Sequence, residues 1–116
     1  LGGEPLAEQN LDEVLSLIKE IRISFPEKTI WLYTGFEWNS LMAKICQSTF
    51  PDEKFEHDRN IHMKRQNIIS NVDVLIDGEY IDEQRDVTLK WRGSKNQRVI
   101  DVKESIAQNK IILYCD

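Results

Sequence analysis

Cysteine is scarce: Cys46 and Cys115 are the only two in 116 residues. Two cysteines do not build a disulfide framework, and a reducing, cytoplasmic setting is the default expectation. No apolar run approaches the roughly 18 residues that cross a membrane, and no signal-peptide pattern is present, so no membrane association is expected. No Gly-x-x-x-x-Gly-Lys-Ser/Thr loop occurs, which leaves P-loop phosphate chemistry without support. There is no internal repeat and no low-complexity segment. Positive charge is not in excess either: the formal net charge is −5 and the sequence pI is near 5.1. That is the opposite of the basic surface a nucleic-acid binder carries, and no nucleic-acid partner is expected. His57 and His62, with Glu56 and Asp58, match no zinc spacing, and a solvated loop rather than a metal site is expected there.

What is present fits one folded domain over residues 1–116. The chain is 41% hydrophobic and 30% charged, and domains of about 100–150 residues are the commonest. Leu11, Val14, Leu15, Ile18, Ile21 and Phe25 recur at helical spacing. Asn10 and Glu13 have capping-box spacing and Pro26 ends the pattern, which predicts a helix over 10–24. Thr29–Thr34 is a short apolar run rich in β-formers, as in a strand buried on both faces. A second helix is predicted over 37–48, with Trp38, Leu41, Met42 and Ile45 on one side. Residues 50–61 read as a polar loop, with a broken helix as the alternative, and Met63–Ser70 as helix. Val72–Ile76 is the next buried strand. From Glu79 to Gln97 no period holds, and long ordered loops in small domains are usually functional. Asp101 and Glu104 repeat the capping-box spacing and start a short helix to Ala107, and Ile111–Tyr114 is the last strand. Strands near 30, 72 and 111 with helices between them read as α/β, with βα units on a parallel sheet. Trp31, Trp38 and Cys46 are expected in the core, and Glu79, Asp82 and Glu83 on a solvated face.

Ligands of parallel α/β sheets bind beyond the carboxyl ends of the strands. Thr34-Gly35 ends one strand and Asp77-Gly78-Glu79 the next. Gly2-Gly3-Glu4-Pro5 is the third candidate. Gly-Gly permits positive φ and close ligand approach, and a carboxylate on such a turn is placed to grip an ammonium group. On these residues alone a frayed Gly-Gly terminus is the commoner explanation. Lys90, Arg92, Lys95 and Arg98 with Trp91 suggest an RNA or phosphate contact, although the acidic total favours a local anion or a protein partner.

Gly2-Gly3-Glu4-Pro5-Leu6 resembles the Gly-Gly-Glu motif of radical S-adenosylmethionine enzymes. Three further stretches, Ile30–Phe36, Val72–Tyr80 and Trp91–Asp101, resemble one branch of that superfamily, the activating proteins of anaerobic ribonucleoside-triphosphate reductase. The likeness runs through essentially the whole chain, in order. It implies a partial (β/α) barrel, S-adenosylmethionine and a 4Fe–4S cluster as cofactors, and a reductase partner. In such enzymes S-adenosylmethionine is reductively cleaved at the cluster, and a 5′-deoxyadenosyl radical abstracts hydrogen from a glycine of the reductase. Carried over, Gly2 and Gly3 give backbone contacts to the cofactor's methionine part, Glu4 gives the carboxylate, and Thr34 lines the same site. The resemblance assigns no role to Asp77 or to the Trp91–Arg98 loop.

The cysteines depart from that pattern. The family's C-x-x-x-C-x-x-C motif has no counterpart here, and a cluster needs thiolate ligands. The chain, which begins at Leu1, is therefore expected to be the C-terminal part of an activase without the N-terminal strands, carrying no metal and inactive alone. A non-catalytic module that docks onto a reductase is the alternative. Without a strand before Gly2, the strand at Ile30–Tyr33 is expected to be an unguarded sheet edge, and the chain a homo-oligomer.

Overall fold

The computed structural model describes residues 3–44 and 52–115. Gly2, Cys46 and the 45–48 end of the second predicted helix lie outside them. Within them the order is α1 (Leu11–Ser24), β1 (Trp31–Tyr33), α2 (Trp38–Leu41), α3 (Glu53–Ser70), β2 (Val74–Asp77), β3 (Arg98–Asp101), α4 (Val102–Gln108) and β4 (Leu113–Cys115). No helix of the described residues is long and apolar enough to cross a membrane.

The sheet runs β1-β2-β3-β4, with β1 parallel to β2 and the other two pairs antiparallel. The expected all-parallel sheet is therefore corrected to a mixed one. The difference comes from β3 (98–101), a strand that the sequence pattern leaves out: there the polar loop ends at Gln97 and the last helix starts at Asp101. The 78–97 connection carries no α-helix, only a 3-10 turn at Asp82–Gln84. It therefore returns as an antiparallel neighbour, whereas a parallel return needs a crossover that passes over one face of the sheet, usually a helix. Such a crossover does join β1 to β2, through α2 and α3.

Burial separates the two faces of the sheet. Leu75 and Ile100 share one core cluster with Leu6, with Leu11 and Ile18 of α1, with Trp38 and Leu41 of α2, and with Ile68 and Ile69 of α3. On the other face Val74, Ile76 and Val99 are covered by Trp31 and Cys115 instead. Trp91 and Tyr114 stand edge-on to Trp31, at ring-centroid distances of 5.1 and 5.0 Å. Trp31 is thus half-buried rather than in the core, and β2 alone is buried along its whole length; Tyr33 of β1 is exposed.

Residues 53–61 are helix, not loop. Asp52 accepts from Phe55 N–H at 2.8 Å, and Glu53 and Glu56 lie in the first turn, where the helix dipole favours carboxylates. Charged residues hold this end in water while the other end of α3 packs, so no apolar stripe marks it. The opposite correction applies to α1. Asn10 makes no cap; Glu8–Asn10 is a 3-10 turn that runs into the helix, and Asn10 Nδ2 donates to the Glu4 carbonyl at 2.9 Å.

At the amino end of β2, Asp73 ties three elements together. It accepts from Ile30 N–H and Arg22 Nη2, both at 2.8 Å, and faces Lys103 Nζ at 3.2 Å. Partial burial pushes its pKa up, but these donors outweigh burial and hold the carboxyl below its ordinary value. A depressed folded-state pKa contributes stability above the unfolded pKa, about 3.9, that is lost as pH falls through the folded value. Asp73→Asn is expected to be about 1–2 kcal/mol less stable than the parent at neutral pH. The gap should narrow below about pH 4. Urea midpoints across that range check this; a gap independent of pH would count against the ionised carboxylate.

Candidate functional site

The parallel pair fixes where a site can form. Beyond the carboxyl ends of β1 and β2 the chain turns away at Thr34-Gly35 and at Gly78, leaving a crevice. The Gly3–Pro5 turn closes it. Gly3 has φ +126°, a conformation that favours glycine. Leu6 is fully buried and anchors the turn, and its carbonyl accepts from Arg65 Nε of α3 at 2.8 Å. The Arg65 guanidinium also lies 4.6 Å from the centroid of the Phe36 ring. One side chain of α3 thus straps the turn to the loop after β1.

The resulting cavity holds about 320 Å³. Gly3, Glu4 and Pro5 form one wall, Tyr33 to Gly35 a second, and Gly78, Tyr80 and Gln97 a third. A larger hollow of about 460 Å³ between α2 and α4 offers Lys110 as its only charged lining residue. The smaller one gathers the candidate residues Gly3, Glu4, Thr34 and Gly35.

Glu4 is its one charged group. Oε2 accepts from Leu6 N–H at 2.8 Å and from the Thr34 hydroxyl at 2.9 Å, and Oε1 accepts from Gly35 N–H at 2.6 Å. A Cβ at position 35 would come to 3.3 Å from Glu4 Oε1, so glycine there lets the two segments approach. All three donors are neutral, and among the described residues Glu4 pairs with no cation. A half-buried carboxylate so arranged is a receptor for a positively charged hydrogen-bond donor.

Beneath this crevice lies Asp77, 1% exposed. Its Oδ2 accepts from Trp38 N–H at 2.7 Å and from Arg98 Nη2 at 2.6 Å, and Oδ1 accepts from Arg98 Nε at 3.1 Å. The hydrogen bond to Asp77 raises the pKa of Arg98 against the opposing effect of burial. Gly78, at φ +96°, donates its N–H to the Phe36 carbonyl at 2.9 Å. Asp77 and Gly78 together hold the Thr34–Trp38 loop to β2.

The structure brings Gly3, Glu4, Thr34 and Gly35 together around one cavity. Gly2 lies outside the described residues. The Trp91–Arg98 stretch proves to be a clasp. Arg92 Nη1 donates to the carbonyls of Lys95 and Gln97, Gln97 Oε1 accepts from the N–H groups of Gly93 and Ser94, and Gln97 Nε2 donates to the Gly78 carbonyl. Gly93 is packed so closely that a Cβ would meet the Tyr80 ring at 3.1 Å. Arg92 and Gln97 are thus spent on the loop's own backbone and on one wall of the cavity. Arg65 escapes a reading of the sequence; nothing local distinguishes it from other lysines and arginines of α3. His57 pairs with Glu8 at 2.7 Å and His62 Nε2 lies 2.7 Å from the Ala43 carbonyl. Among the described residues no group of three or more His, Cys, Asp or Glu is placed to hold a metal ion.

The model of the family described as "4Fe-4S single cluster domain" matches residues 1–100. Curated relatives named anaerobic ribonucleoside-triphosphate reductase-activating protein match as well. The one from Vibrio cholerae is 35% identical over 96 residues, covering 83% of this chain and 49% of that protein. The Escherichia coli protein is 33% identical over 98 residues, 84% of this chain and 51% of that protein. The one from Enterobacteria phage T4 is 38% identical over 99 residues, 84% of this chain and 48% of its own length. The chain spans about half the length of the curated relatives it matches. No solved structure matches it.

Proposed function

The chain belongs to the family of 4Fe-4S single cluster domains, and from that premise we propose that it is the S-adenosylmethionine-binding part of an activase for anaerobic ribonucleoside-triphosphate reductase. The intact enzyme is then a cytoplasmic radical S-adenosylmethionine oxidoreductase that places a glycyl radical on its partner. This chain forms the C-terminal portion of its partial (β/α) barrel. The observation that carries the reading is Glu4: a carboxylate oriented by three neutral donors, with no cation of its own among the described residues, in a cavity walled partly by two tyrosines.

That cavity suits a ligand with an ammonium group at one end and an aromatic base at the other. Glu4 holds the ammonium, with Gly3 supplying close backbone approach beside it. Tyr33 and Tyr80 flank the space where a base would lie. When bound, S-adenosylmethionine supplies a carbon–sulfur bond whose reductive cleavage yields a hydrogen-abstracting species.

The iron–sulfur cluster is a different matter, because the residues present do not fit it. Such clusters are held by cysteine thiolates. The sequence has two cysteines, of which Cys115 lies on β4, and the described residues assemble no ligand group. A non-catalytic module that docks onto a reductase is the second reading. Homo-oligomerisation goes with either reading. β1 pairs on one side only among the described residues, and Trp31, Leu32 and Tyr33 include none of the charges or prolines that guard edges.

The test is electron paramagnetic resonance. The full-length protein, mixed anaerobically with the reductase, a reductant and S-adenosylmethionine, is expected to produce a glycyl-radical signal that requires every component. Binding to the reductase with no signal under those conditions would favour the docking module and overturn the activase.

A further inference from the structure

A carboxylate has about four lone-pair positions, two on each oxygen. On Glu4 three are taken: both on Oε2, by Leu6 N–H and the Thr34 hydroxyl, and one on Oε1, by Gly35 N–H. Two of these three donors come from the Thr34-Gly35 turn. Thr34 is itself pinned on several sides. It is 5% exposed, its N–H donates to the Ile76 carbonyl at 3.0 Å, and its Oγ1 accepts from Phe36 N–H at 3.2 Å. With that acceptor position occupied, the single hydroxyl proton is left for Glu4. Gly35 N–H, at 2.6 Å from Oε1, fixes the other oxygen.

We infer that Thr34 and Gly35 are positioning residues rather than ligand contacts: they lock the Glu4 carboxylate so that one acceptor position, on Oε1, stays open to the cavity for a single N–H of a primary ammonium group. The inference rests on the reading of the cavity as an S-adenosylmethionine site and goes beyond it in saying what sets the selectivity. A guanidinium binds a carboxylate through two parallel N–H groups, one to each oxygen. Oε2 has no position left for the second. An ammonium, a compact point charge that needs only one acceptor here, is accommodated.

The consequence is energetic coupling. If Thr34 acts through Glu4, its removal matters only while the Glu4 carboxylate is there. A double-mutant cycle on the full-length protein, read as S-adenosylmethionine affinity by calorimetry, measures this. Thr34→Val keeps the shape and removes the donor; it is expected to weaken binding about tenfold beside Glu4 and less than about twofold in a Glu4→Ala background. Thr34→Ser, which restores the hydroxyl, should stay within about threefold of the parent. Gly35→Ala, whose Cβ crowds Oε1, acts on the other oxygen, and its effect should also vanish with Glu4→Ala; this arm remains readable if Thr34→Val does not fold. Equal losses in both backgrounds would overturn the positioning role while leaving the ligand assignment standing. No binding by the unmutated protein would overturn the ligand assignment and the positioning role with it.

Discussion

Asp77→Ala is expected to cost about 3–5 kcal/mol of folding stability, a large share of the roughly 5–15 kcal/mol that a domain possesses. Asp77 is buried on β2 and answers three donors at once, two from Arg98 and one from Trp38 N–H. Removing it leaves the amide of Trp38 unpaired beside a core residue that is itself 7% exposed. It also leaves the Arg98 guanidinium without its counter-charge. Water can reach part of Arg98, whose side chain is 33% exposed, which places the cost toward the lower end of that range. Urea unfolding followed by tryptophan fluorescence measures it, with Asp77→Asn, which keeps the volume, as the milder comparison. A loss under about 1 kcal/mol would mean that Asp77 and Arg98 repack independently. Because Asp77 also holds, through Trp38 N–H, the loop that carries Thr34 and Gly35, ligand affinity should fall along with stability.

Glu4→Ala is expected to have the opposite profile. The turn is anchored by Leu6 and Arg65 rather than by Glu4 alone, and the cavity is open to water, which can take over the three donors. The stability change should stay near 1 kcal/mol. The functional change should be large. A charge-assisted hydrogen bond to a partly desolvated ammonium is worth about 1.5–3 kcal/mol, and 3 kcal/mol corresponds to roughly 150-fold in affinity. Radical yield on the reductase, at an S-adenosylmethionine concentration near the parent's half-saturation, should drop by about two orders of magnitude. Normal yield and affinity in the Glu4→Ala variant would remove Glu4 from the site.

The parts of the fold that were legible in the sequence are those whose burial is written locally. α1 repeats an apolar residue every turn, and Val74–Ile76 is apolar on both faces because helices cover one side and Trp31 the other. α4 announces itself through Asp101, which does accept from Glu104 N–H at 3.1 Å. β3 was illegible because Arg98 and Asp101 bracket only two buried residues, Val99 and Ile100, too few to set a period. The first half of α3 was missed because its helicity rests on a cap and on charges. For the site, the rule that ligands gather beyond strand ends pointed to Thr34, which the structure sets against Glu4. What escaped was the role of Gly35, and of Asn10 and Arg65 as ties on the Gly3–Leu6 turn. These are contacts across 31, 6 and 59 positions of chain, and no spacing rule reaches them.

The open side of β1 has a consequence in strand polarity. A further strand delivered by a right-handed βα crossover of the same polypeptide would arrive parallel to β1, continuing the direction that β1 shares with β2. A second copy, related by a two-fold axis through the sheet, would arrive antiparallel, because the axis reverses the strand it passes beside. The first arrangement adds to a parallel run that can keep curving round the Glu4 cavity. The second joins two four-stranded sheets back to back along one seam, with the cavities at opposite ends of it. Only one strand can occupy that seam, so the direction of a three-residue edge separates a polypeptide that closes on itself from one that doubles.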